Sequence, residues 1–200
     1  ISLAGNIHLA LSVTGPVVMG PTVVADTGYC VARILKNGDC HWAVSRPSYS
    51  IDLGDGYYSR GWYPRAYEIT SDNQDHVFVL GVREGYCGGN CTSYPLIKYN
   101  SAGQELHQYN EWGSFEYPGN LMLDSKNNIY LTYNTGSHYT SSYVLQKYSG
   151  ELTPIWNEWL GNGYCNYALS SAVALDNNDN PLVSGWIGGS GYSNSDTVLI

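Results

Sequence analysis

Acid–base chemistry on a sugar needs two carboxyl groups held about 5–10 Å apart. Asp52, Asp55, Glu68, Glu84 and Glu116 offer the groups, but no spacing that pairs them. His8, His41, His76, His107 and His138 are scattered, and no Gly-x-Ser-x-Gly elbow, His-Glu-x-x-His string or Gly-rich phosphate loop accompanies them. A catalytic site is therefore the less favoured expectation; if present, a carbohydrate-active hydrolase or lyase is the form it would take.

Asp176-x-Asn178-x-Asn180 resembles an oxygen-rich calcium loop. Its sister strings, Asp72-x-Gln74-x-His76 and Asp124-x-Lys126-x-Asn128, put His and Lys where a cation wants oxygen. The expectation is turn capping, with no metal and no cofactor. Five cysteines, Cys30, Cys40, Cys87, Cys91 and Cys165, allow two bridges and one leftover thiol in several pairings. Cys87-Gly88-Gly89-Asn90-Cys91 is the most local disulfide candidate, because the two glycines let the backbone fold back. Zinc lacks a second Cys/His pair. Asn90-Cys91-Thr92 is also an N-glycosylation acceptor string, usable only on a surface loop.

Aromatic side chains offer a different chemistry. Between Ser45 and Arg65, Tyr57, Tyr58, Trp62 and Tyr63 stand among Asp52, Gly54, Asp55, Gly56, Ser59 and Arg60, and Trp186 and Tyr192 flank a Gly-rich string. Flat rings beside short polar groups stack on sugars or anchor protein interfaces at little entropic cost. These six are the candidate ligand-binding residues, for a glycan or protein ligand; packing of the stretch over a sheet edge is the competing reading.

Composition narrows the partners. Nine Lys plus Arg against 17 Asp plus Glu leave a net charge of −8, without the clustered cations that nucleic acid demands. The longest apolar runs, such as Val77 to Val82, fall far short of the roughly 20 residues a bilayer span needs. The 19 Tyr, 6 Trp, 23 Gly and five Cys fit an oxidising, extracellular or cell-surface setting. Residue 1 is Ile with no signal-like stretch after it, as expected of a mature, trimmed or internal piece.

What must position these residues is a repeat. Asp72, Asp124 and Asp176 each open a polar turn followed by an apolar, β-branched run, with a spacing of 52 residues. A fourth copy, Ser2 to Leu11, precedes them with 18 extra residues before the next. Within the copies, Ala32-Arg33-Ile34, Ile97-Lys98-Tyr99 and Gln146-Lys147-Tyr148 lead into turns at Gly38, Gly103 and Gly150, followed by Trp42, Tyr109 and Trp156. Asn110-Glu111-Trp112 recurs as Asn157-Glu158-Trp159, and the repetition assigns both glutamates a structural job in a turn. No stretch carries a helical period. Four short strands per copy, copies near 2–71, 72–123, 124–175 and a partial 176–200, suggest an all-β, β-propeller-type single domain of four-stranded blades.

These strings resemble the bacterial β-propeller repeats usually labelled SBBP: Asp124, Asn128, Ile129 to Thr132, Lys147, Tyr148, Gly150 and Trp156 carry the pattern, as do Asp72, Val77 to Gly81, Lys98, Tyr99 and Gly103. Tyr133 departs from it where Gly81 and Gly185 stand elsewhere, and Tyr109 replaces the Trp. The resemblance implies a scaffold at the cell surface or secreted, not a reaction. The expected function is a non-enzymatic extracellular binding module. The alternative is a structural subunit of an extracellular assembly: the fourth copy is cut in mid-blade, so open strand edges would pair with a neighbour.

Overall fold

A computed structural model describes residues 5–19, 22–24, 27–52, 58–86, 90–112, 115–137, 140–160, 167–188 and 195–199. They form β1 (Ile7–Val13), β2 (Val17–Met19), β3 (Thr22–Val24), β4 (Gly28–Ile34), β5 (Cys40–Pro47), β6 (Tyr49–Asp52), β7 (Tyr58–Ser71), β8 (Val77–Tyr86), β9 (Asn90–Tyr99) and β10 (Glu105–Trp112). Then follow β11 (Phe115–Leu123), β12 (Ile129–Ser137), β13 (Thr140–Tyr148), β14 (Pro154–Leu160), β15 (Tyr167–Leu175), β16 (Pro181–Gly188) and β17 (Ser195–Leu199). The described residues contain no helix.

Four antiparallel sheets result, none closed into a barrel. Sheet 1 is β1-β4-β5, sheet 2 is β10-β9-β8-β7-β6, sheet 3 is β11-β12-β13-β14 and sheet 4 is β15-β16-β17, with β2-β3 a separate ribbon. The chain divides into two compact units, Ile1–Trp112 and Gly113–Ile200. In the first, Tyr29 and Val31 of sheet 1 pack against Val77, Val79, Ile97 and Tyr99 of sheet 2. In the second, Tyr130, Tyr143 and Leu145 of sheet 3 pack against Val173 and Val183 of sheet 4. Phe78, Leu80 and Leu96 on the other face of sheet 2 are buried too, so its central strands read as continuous apolar runs rather than alternating ones.

The sequence unit and the sheet are offset by one strand. Asp72 joins β7 to β8 and Asp124 joins β11 to β12, neighbours within one sheet. The 18 extra residues are spent in two places, on the β2-β3 ribbon between β1 and β4 and on β6 ahead of β7.

Each aspartate turn is built the same way. Asp72 Oδ1 accepts the amides of Gln74 and His76 at 2.9 Å, Asp124 Oδ1 those of Lys126 and Asn128 at 2.9 and 2.8 Å, and Asp176 Oδ1 those of Asn178 and Asn180 at 2.8 and 2.9 Å. The fourth residue is left-handed: Asp75, Asn127 and Asp179 have φ of 61°, 63° and 62°, and Gly5, at the matching sequence position of the first copy, has 77°. This is a type I turn closed by a bulge residue, for which Gly, Asn and Asp are the natural occupants.

The second turn of each sheet corrects two sequence assignments. Its left-handed residue is Gly38, Gly103 and Leu152, at φ of 93°, 81° and 61°. Leu152, and not Gly150, is therefore the counterpart; its left-handed cost of about 1 kcal/mol is set against a side chain buried to 4% exposure. Gly150 serves a close approach instead, since a Cβ there would lie 3.0 Å from the Asn127 carbonyl oxygen. Four residues beyond the left-handed position stand Trp42, His107 and Trp156, opposite Arg33, Lys98 and Lys147 in register. His107, and not Tyr109, occupies the tryptophan position in sheet 2. A bulge beside it leaves His41, Leu106 and Ile155 unopposed and exposed in the three sheets.

Candidate functional site

The two ends of each sheet differ. Aspartate turns and second turns lie at one end, because Val77 pairs with Tyr99 and Ile129 with Tyr148. The ends of β8, β12 and β16 and the starts of β9, β13 and β17 lie at the other.

The candidate site residues that are described belong to that other end of their own sheets. Tyr58, Trp62 and Tyr63 stand in the half of β7 remote from Asp72, where Tyr63 pairs with Glu84, Trp62 with Tyr49 and Tyr58 with Asp52. Asn90 and Cys91 open β9, opposite Tyr86 and Gly85. Trp186 sits in the last half of β16, opposite Leu169. Tyr57, Cys87 and Tyr192 lie outside the described residues. Backbone register thus gathers Tyr58, Trp62, Tyr63, Asn90 and Cys91 at one end of sheet 2, and puts Trp186 at the corresponding end of sheet 4.

Cys30 and Cys40 are free thiols. Cys30 pairs with Ser45, and Cys40 with Ile34 four residues along the same ladder, too far for a bridge between them. Burial pushes the Cys30 thiol up, with Cys40 adding to it. Cys87 and Cys165 lie outside the described residues.

At the turn end, polar groups are spent on holding the backbone and joining sheets. Arg33 of sheet 1 donates to the Asp75 carboxylate in the β7-β8 turn and, at 2.8 Å, to the Ser101 carbonyl in the β9-β10 turn. Asn6 Nδ2 donates to Asp75 at 3.1 Å, and Trp42 Nε1 to the same Ser101 carbonyl at 2.9 Å. Trp42 lies over Gly103, where a Cβ would sit 2.6 Å from the indole. Arg46 pairs with Glu105 across the same two sheets.

The unit containing sheets 3 and 4 uses the same positions differently. Lys147 donates to its own sheet's Asp124 at 3.0 Å and Tyr130 hydroxyl at 2.7 Å. Burial alone would push Asp124 up; hydrogen bonds from the Asn128 side chain and amide, Lys147 and the Lys126 amide outweigh it and hold the carboxyl below its usual range. Asp179, the counterpart of Asp75, accepts the Ser125 amide at 3.0 Å and its hydroxyl, while its carbonyl accepts the Tyr130 hydroxyl at 3.2 Å.

Glu111 and Glu158, expected in turns, lie in strands β10 and β14. Glu158 is exposed, and its neighbour Trp159 is 59% exposed. Among the described residues no group of three or more His, Cys, Asp or Glu is arranged to hold a metal ion, and no helix is long and apolar enough to cross a membrane. Sequence reasoning missed the Arg33–Asp75 joint. Its only signal was the left-handed turn position, where Asp75 and Asp179 carry a charge the turn does not require.

No protein-family model matches the chain, and a search of curated proteins found no match.

Proposed function

We propose that this chain is a non-enzymatic, extracellular or cell-surface binding module built as stacked β-propeller-type blades resembling the SBBP repeats. Within each unit the turn end of the sheets is scaffold, and the opposite end carries aromatic residues for a glycan or protein ligand. The observation that carries this reading is the division between the ends. Asp72, Asp75, Asp124, Asp176 and Asp179 are committed to turns and joints. By backbone register Tyr58, Trp62 and Tyr63 stand at the opposite end of sheet 2, and Trp186 stands at the opposite end of its own sheet 4. Packing of sheet 1 on sheet 2 and of sheet 3 on sheet 4 supports stacking of sheet on sheet within each unit.

A glycan array probed with the purified chain tests the reading, with Trp62→Ala as the variant. Saturable binding that Trp62→Ala weakens about tenfold or more, with a nearly unchanged melting temperature, supports it. Loss of stability without loss of binding would assign Trp62 to packing. Regular polymers in negative-stain images, with no sugar bound, would favour the assembly alternative.

A further inference from the structure

We propose that His8 makes the joint between sheets 1 and 2 acid-sensitive, holding the two sheets together only while its ring is neutral. His8 stands opposite Arg33 in the β1-β4 ladder. Both its ring nitrogens are buried, and neither has a hydrogen-bond partner. Its counterparts are Phe78, opposite Lys98, and Tyr130, opposite Lys147. The slot beside the cation is thus an aromatic slot, and among these three only His8 changes charge between about pH 5 and 8.

A proton on His8 would require an acceptor at each ring nitrogen, and neither buried nitrogen has one. The charged groups around it are Arg33 on β4 and Asp72 and Asp75 in the β7-β8 turn; His76 sits beside Asp72. Asp75 is held by Arg33 and Asn6. Asp72 is held by the Gln74 and His76 amides and, at 2.7 Å, by the His76 ring. Burial is the main force against the charged ring; Arg33 adds to it, and the two aspartates oppose it without prevailing, so the pKa lies below 6.5. The unfolded chain then binds the proton before the folded one does. Stability is complete above pH 6.5 and is lost as pH falls from there through the lowered folded value. The ion pair beside the ring is what a charged His8 would disturb first.

Hydrogen exchange on the whole chain, corrected for intrinsic rates, at about pH 7 and pH 5 tests this, with His8→Phe and His8→Leu beside the native sequence. The native chain is expected to lose protection in β1 and β4 several-fold to about tenfold more than either variant, while β12 and β13 show no such difference. Equal loss in all three chains, or none in β1 and β4, would overturn the proposal. A proton NMR titration of His8 in the native chain is independent of how the variants fold: a midpoint below 6.5 is expected, and one at or above it would overturn the proposal.

Discussion

The joint between sheets 1 and 2 and the joint between sheets 3 and 4 are built from the same repeated positions, yet they carry force differently. In the first, the strand cation reaches across: Arg33 binds Asp75 and Ser101, both in sheet 2. In the second, the cation stays home, because Lys147 is engaged by Asp124 and Tyr130 of its own sheet. There the crossing is made by neutral groups, Ser125 and the Tyr130 hydroxyl, onto Asp179. Residue chemistry accounts for the difference. A guanidinium offers several donors in a planar fork and can serve a carboxylate and a carbonyl at once, whereas an ammonium is a compact point charge that a buried aspartate within 3.0 Å captures. A repeat can thus keep its backbone while one unit is joined by charge and another by neutral hydrogen bonds.

The largest expected effect is at Arg33. Its side chain and that of Asp75 are 12% and 14% exposed, so Arg33→Ala leaves a nearly buried carboxylate without its cation. A loss of about 3 kcal/mol is expected by urea denaturation. A loss below about 1 kcal/mol would make the pair a bystander and break the contrast.

Gly103→Ala comes next. It combines a left-handed backbone at φ 81° with a Cβ placed 2.6 Å from the Trp42 ring, and about 2–3 kcal/mol is expected. Gly38→Ala shares the backbone strain but meets nothing within 4 Å, so only about 1 kcal/mol should go. Equal melting shifts for the two would remove Trp42 packing from the account.

Acid sharpens the contrast in the second unit. The Asp124 pKa lies below 3.8, so its contribution is present above that pH and is lost as pH falls through the lowered folded value. Thermal scans from pH 6 to pH 2 should therefore show Lys147→Met, which removes the Asp124 partner, costing about 2 kcal/mol at pH 6 and progressively less toward pH 2. A cost independent of pH would contradict the ion pairing. The smallest effect is Tyr130→Phe, which removes a hydroxyl bonded to Lys147 and to the Asp179 carbonyl; about 1 kcal/mol is expected by the same denaturation measurement.

The turn chemistry and the strands were legible in the sequence, because Asp72, Asp124 and Asp176 cap their own backbones and need no distant partner. The offset of unit and sheet was not, since a repeat can be cut at any strand without changing its period. His107 and Leu152 stand where the glycine spacing points to Tyr109 and Gly150, because glycine does not mark the left-handed position in sheet 3, where a buried leucine holds it. The aromatic candidates were legible as residue types, and strand register adds which end of its own sheet each described one occupies. Arg33 meeting Asp75 depends on two sheets coming together across 42 residues of sequence, which no local pattern encodes.

The most direct test of the joint is a double-mutant cycle on Arg33 and Asp75, using Arg33→Ala and Asp75→Asn, set beside one on Lys147 and Asp179, using Lys147→Met and Asp179→Asn. Charge carried across the first joint and kept home in the second predicts a coupling of about 2–3 kcal/mol for Arg33 with Asp75 and less than about 0.5 kcal/mol for Lys147 with Asp179. Equal couplings in the two cycles, or none in the first, would contradict it.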